Sequence, residues 1–142
     1  MRYAYPVLLE PDEGGSVIVS FPDVPGALTE GRDESDAIML AEDCLIAALG
    51  GYVKLGRAIP QPTPAGSLPL VAVPPLVAAK LGLYEGMLDA RLTNTALAER
   101  LGVAEAAVRR LLDLDHRSHI GEVERALALL GKRLVVEVLE AA

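Results

Sequence analysis

The carboxylates Asp12, Glu13, Asp23, Asp33 and Glu34 are the side chains of this sequence that could hold divalent metal for phosphodiester cleavage. Two-metal nucleases need several carboxylates converging within a few ångströms, usually projected from strands. Here Asp12 and Glu13 fall in a turn by composition, Asp33 and Glu34 at a helix start, and only Asp23 near a strand end. Solvation and helix capping account for all five. His116 and His119 stand three apart without a carboxylate or cysteine in a metal-site spacing, and a polar loop near a DNA backbone suits them better. Cys44, the only cysteine, excludes an internal disulfide and fits a reducing cytosol. It falls on an apolar helix face, so core packing is expected of it. No Ser-His-Asp order, P-loop or dinucleotide fingerprint is present. The expectation is a protein with no catalytic residue, no metal and no cofactor.

The chemistry that does stand out is recognition. Asn94 to Leu112, NTALAERLGVAEAAVRRLL, spaces its apolar residues as two short helices joined by a tight turn. Leu97 and Leu101 share one helix face, Ala98 is small where a second helix must come close, and Gly102 suits the left-handed dihedrals of the turn. Val108 and Leu111 return the second helix to the same core. The pattern resembles the helix-turn-helix of Cro/repressor-type DNA-binding proteins; the plainer reading is a helical hairpin in a small α domain. In such a motif the second helix enters the major groove. Its outward residues are Glu105, Ala106, Ala107, Arg109 and Arg110. Glu105, Ala106 and Arg110 are expected at base edges, with Arg109, Asn94, Thr95 and Arg117 at phosphates. Ala104 stands where Ser or Thr is the usual cap, which leaves the second helix a weak start.

The net charge of −7 argues at first against a nucleic-acid binder. It is unevenly spread. Residues 1–50 hold two basic and ten acidic side chains, a net of −8, whereas residues 51–142 hold eleven and ten, a net of +1. A near-neutral half attracts phosphate only modestly, and two copies in a dimer are the ordinary remedy. The acidic half reads either as a solvated surface or as a face for a basic partner. Hydrophobic residues make up 51% of the chain, enough for a core, but no apolar run near 20 residues and no signal-peptide pattern occur. Neither membrane insertion nor secretion is expected.

These groups must be held by the following elements. Arg2 to Glu10 and Ser16 to Phe21 alternate as strands around the turn Glu10–Gly15, a hairpin in which Pro6 implies an edge or a bulge. After the bend Phe21–Gly26, Ala27 to Glu30 can form a third strand. Asp33 can cap a helix to Leu49, with Asp36 three residues on and a face of Ala37, Ala41, Cys44, Leu45 and Ala48. Gly50-Gly51 either ends or only weakens it. Gly56 to Ser67, with three prolines, reads as an extended linker. Leu68 to Val73 is a fourth strand. Pro75 opens a helix to about Ala90, lined inside by Leu76, Leu83, Met87, Ala79 and the stem of Lys80. After the helix pair and a polar loop, a last helix spans about Ile120 to Leu130 and Gly131 closes it. Leu134 to Leu139 is β-rich and needs a neighbour, in its own sheet or in a second copy.

In this order the elements resemble the HicB family of antitoxins. Phe21-Pro22-Asp23-Val24-Pro25-Gly26, then Thr29, Gly31 and Asp36-Ala37, are similar to its N-terminal signature. The second half resembles the branch with a C-terminal Cro-type domain. The resemblance implies an α+β fold: a partial RNase H-like β-β-β-α-β domain over 1–73, then an all-α helix-turn-helix domain over 74–142 with a terminal β-strand. It implies that the first domain covers a small basic mRNA-cleaving toxin, HicA; within the acidic half, Asp12, Glu13, Asp23, Glu30 and Asp33 are the residues expected to meet it. It also implies that the second binds operator DNA, as a homodimer or higher homo-oligomer in the cytoplasm. The alternative is a stand-alone repressor whose N-terminal domain senses a ligand or only dimerises. A toxin-binding face would be acidic on its exposed edge; a ligand pocket would need buried polar groups.

Overall fold

A computed structural model describes residues 2–140. The chain is α+β and divides between Pro74 and Pro75 into two compact units. The first unit comprises β1 (Ala4–Pro6), β2 (Leu8–Pro11), β3 (Val17–Ser20), β4 (Leu28–Gly31), α1 (Glu34–Lys54) and β5 (Leu70–Ala72). The one strand expected over Arg2–Glu10 is broken in two. Pro6 has no N–H with which to extend a ladder, and at Val7 the chain leaves one sheet for the other. β1 pairs antiparallel with β5, Tyr5 opposite Val71, while β2 pairs with β3 and β3 with β4 in a three-stranded sheet. The Val7 N–H donates to Pro69 O at 3.0 Å across the break. With β1 and β2 taken as halves of one strand, the order is β-β-β-α-β.

Asp33 caps α1 as its spacing predicts, accepting the Asp36 N–H at 2.8 Å. The Asp36 carboxylate accepts from Arg32 N at 2.8 Å, one residue before the cap, so it does not close the reciprocal capping box. The helix continues through Gly50-Gly51 to Lys54. Ala37, Ala41, Leu45 and Leu49 recur every fourth residue and are fully buried, with Cys44 half-buried beside them. This stripe lies on β4 and β3, and its approach depends on Gly31. A Cβ there would sit 2.3 Å from Ala37 N and 2.4 Å from Ala37 Cα.

The proline-rich connection has no regular structure, as expected, but it is fastened to the first unit rather than free. Ile59 is buried, and the Tyr5 hydroxyl donates to Pro60 O at 2.7 Å.

The second unit holds α2 (Pro75–Ala90), α3 (Asn94–Leu101), α4 (Glu105–Leu112) and α5 (Ile120–Leu129). Leu81, Leu83, Leu97, Val108, Val123 and Ala126 are completely buried and form its core. Leu114, in the otherwise polar loop after α4, joins them. The terminal strand expected over Leu134–Leu139 does not form: this segment takes no regular secondary structure, and Val135, Val136, Val138 and Leu139 are exposed. A strand exists only by pairing its backbone with another, and the described residues of this unit contain no other strand. No helix among the described residues is long and apolar enough to cross a membrane.

Candidate functional site

Thr93 opens α3 as its N-cap, its hydroxyl accepting the Ala96 N–H at 3.1 Å. Asn94 and Thr95 therefore occupy the first turn rather than the cap, Asn94 half-buried and Thr95 exposed. Gly102 ends the helix at φ 69°, and the Val103 N–H returns to Ala98 O at 3.0 Å. That conformation costs glycine no Cβ clash. Three residues on, α4 begins at Glu105. Val108, Leu111 and Leu112 face the core, while Glu105, Arg109 and Arg110 are exposed and Ala106 and Ala107 half-exposed. Glu105 and Arg109 approach to 3.8 Å as an i,i+4 pair. With both side chains at least half exposed, this pair contributes little. Among the described residues Arg110 has no acidic partner. Arg117 is exposed in the loop after α4.

Ala104 supplies no side-chain cap to α4, as its residue type predicts. The other end of the helix is held by a residue that sequence reasoning assigned only a packing stem. Lys80 of α2 is wholly buried, ammonium included. Its Nζ donates to Arg110 O at 2.8 Å, Asp113 O at 2.7 Å and Ser118 Oγ at 2.9 Å. Ser118 Oγ also lies 3.3 Å from Arg110 O and 2.9 Å from His116 Nδ1. Burial pushes the Lys80 ammonium below its ordinary range, and the Asp113 and Glu122 carboxylates act against that shift. Arg125 of α5 donates to Leu101 O at 3.2 Å, closing α3 in the same way.

In the first unit the acidic residues singled out from sequence do not act alike. Asp12 Oδ1 accepts the Gly14 and Ser16 N–H groups at 2.8 and 3.2 Å and shapes the hairpin turn. Asp23 holds the proline-rich connection by accepting from Thr63 N at 2.9 Å and Thr63 Oγ1 at 3.0 Å. Asp33 caps α1. Glu13, in the turn, and Glu30, on β4, are exposed. Hydrogen bonding to Arg32 holds the Asp36 carboxyl below the usual carboxylate range. No group of three or more His, Cys, Asp or Glu side chains among the described residues could hold a metal.

Strand register reveals a surface that sequence reasoning missed. Leu8, Ser20 and Leu28 form one cross-strand row, and Glu10, Ile18 and Glu30 the next. Their neighbours Val19 and Gly31 face α1 and are buried, so these rows lie on the opposite face. Leu8, Leu28, Glu10 and Glu30 are exposed there. Glu10 had read as the start of a turn, and only strand register pairs it with Glu30. Divided at Pro74, the first unit carries four basic and ten acidic side chains, a net of −6, and the second nine and ten, a net of −1. Lys54 and Arg57, counted with the second half by sequence position, belong to the first unit.

Residues 4–82 match the family described as "HicB_like antitoxin of bacterial toxin-antitoxin system". The chain is 40% identical over 134 residues to Antitoxin HicB 1 of Photorhabdus laumondii, covering 94% of this chain and 86% of that one. It is 37% identical over 131 residues to Antitoxin HicB of Escherichia coli, covering 92% and 95%. Against Antitoxin HicB of Pseudomonas fluorescens the identity is 39% over 130 residues, covering 89% and 88%. Relatedness of this extent spans both units, and the chain belongs to the HicB-like antitoxin family.

Proposed function

We propose that this protein is a cytoplasmic, non-enzymatic antitoxin that covers a small mRNA-cleaving HicA-type toxin with its first unit and represses its own operon with its second. What carries the reading is relatedness to antitoxins over 94% of the chain. The geometry supports it in two places. The bare sheet face with Glu10, Glu30, Leu8 and Leu28 offers an acidic and apolar surface to a basic, RNA-binding partner. Asp12, Asp23 and Asp33 contribute there by shaping the unit, and Glu13 and Glu30 by direct contact. Among the described residues of the first unit no charged or amide side chain is buried, and the hydroxyl of the buried Tyr5 is already bonded to Pro60 O. That favours a protein-binding face over the ligand-sensing domain of a stand-alone repressor.

The second unit is read as a helix-turn-helix of the Cro type. Helix α4 is the recognition helix: Arg110, Glu105 and Ala106 meet base edges, and Arg109 and Arg117 meet phosphates. The first-turn N–H groups of α3, at Asn94 and Thr95, take a further phosphate. With the unit near neutral, two copies are needed. Leu134–Leu139 supplies the means, pairing with the same segment of a second copy and covering Val136 and Val138.

Co-purification of the tagged chain expressed with its neighbouring genes tests the antitoxin half. A basic protein of small size that dissociates only in denaturant is the expected result. If none is recovered while DNA from upstream of the gene is still retarded, the stand-alone repressor becomes the better account.

A further inference from the structure

A helix of eight residues is too short to hold itself together in water. Helix α4 lacks a side-chain N-cap, so its start is secured only by backbone and packing. At its last turn Arg110 O accepts a long 3.3 Å bond from the Asp113 N–H, and Asp113 O accepts the His116 N–H at 3.1 Å; each carbonyl keeps a second lone pair for a further donor. Lys80 provides it. An ammonium carries three donors, and here all three are used, on Arg110 O, Asp113 O and Ser118 Oγ. The charge sits at the negative pole of α4, which offsets part of the cost of burying it. One of these carbonyls belongs to Arg110 itself, the residue whose side chain leaves the helix for the DNA. The ammonium also bridges to Ser118 in the loop that carries Arg117.

We propose that Lys80 is the positioning residue of the recognition helix: its buried ammonium fixes the C-terminal end of α4 and the following loop, and so sets where Arg110 and Arg117 stand. It touches no DNA. The proposal rests on the reading of α4 as a DNA-reading helix for its functional consequence, while its structural consequence is independent of that reading. Bidentate base contacts tolerate displacements of only about half an ångström, so loss of the anchor affects base reading before it affects phosphate attraction.

The test compares the full-length chain with Lys80→Met, which keeps an apolar stem, and Ser118→Ala, which removes one acceptor. Amide hydrogen exchange is measured across the second unit. Binding is measured to a duplex from upstream of the gene and to a scrambled duplex of the same composition. Lys80→Met is expected to speed exchange in 105–118 at least tenfold while the core of α2 and α5 stays protected. The preference for the upstream over the scrambled duplex is expected to fall at least tenfold, with scrambled binding weakened several-fold less than upstream binding. Ser118→Ala is expected to give the same pattern at smaller amplitude, and it decides the matter if Lys80→Met does not fold. Exchange that rises uniformly through all four helices, or that is unchanged in 105–118, overturns the proposal. If the unmodified chain shows no preference between duplexes, the DNA-binding reading fails instead, and exchange alone judges Lys80.

Discussion

Replacing Gly31 by alanine adds one methyl group at the closest contact between sheet and helix in the first unit. The added Cβ would lie 2.3 Å from Ala37 N, 2.4 Å from Ala37 Cα and 2.8 Å from Ala37 Cβ, against the 3.4 Å at which ordinary contact begins. The shortfall is about 1 Å, and it falls on backbone, which has no rotamer with which to yield. Ala37 N is already engaged with Asp33 O at 2.9 Å, so α1 must move as a body. That movement loosens the stripe Ala37, Ala41, Leu45 and Leu49 against β3 and β4. Overpacking of this kind costs about 1–3 kcal/mol, and a rigid backbone contact belongs at the upper end, about 3 kcal/mol. For a unit of this size that lowers the unfolding midpoint by roughly 10–20 °C. Gly51→Ala is the control. It lies inside α1 with nothing within 4 Å of an added Cβ, so alanine there should stabilise by about 0.5–1 kcal/mol. Scanning calorimetry and far-UV circular dichroism on the full chain read both. A Gly31→Ala protein as stable as the original, or two glycines that respond with the same sign, would refute the packing described for α1.

Further outcomes are expected from the same geometry. Arg110→Ala should cost about 1–3 kcal/mol of binding to the upstream duplex, with the loss concentrated on one or two base pairs; Arg117→Ala should weaken all sequences alike and lower the salt slope by about one. Gel-shift titrations at several salt concentrations separate the two, and equal behaviour would undo the division into base and phosphate contacts. Removing the residues after Gly131 should yield a monomer by light scattering, whereas an unchanged mass would reject pairing through Leu134–Leu139. Burial raises the Cys44 thiol above its ordinary range, so alkylation at pH 8 should be slower in the native chain than in urea. Stability from the neutral thiol is intact below the unfolded thiol pKa of about 8.5 and is lost as pH rises through the raised folded value. Cys44→Ala should remove that alkaline loss.

The elements legible in the sequence are those whose causes are local. Asp33 lies three residues before the amide it caps, and Pro75 at the first position of α2 suits a helix start. Gly102 stands where only a left-handed residue lets α3 turn into α4, and Leu97, Leu101, Val108 and Leu111 show helical spacing within a few residues of one another. Local spacing could not assign the partners that come from far along the chain. Asp23 is an exposed acid until Thr63, 40 residues on, arrives to donate to it. Glu10 and Glu30 share a face only because β3 lies between their strands. The first strand breaks at Val7 because β5 takes one half and β3 the other. Lys80 reads as an amphipathic stem, yet carbonyls 30 and 33 residues away draw its charge wholly inside. Leu134–Leu139 has strand composition and no strand, since composition supplies the tendency and only a neighbouring backbone supplies the hydrogen bonds. Dihedral preference, capping and periodicity are properties of a short stretch of chain and were set by the sequence alone. Which buried donor meets which distant acceptor, and which strand finds an edge, were decided by tertiary structure, because those contacts exist only once remote segments have been brought together.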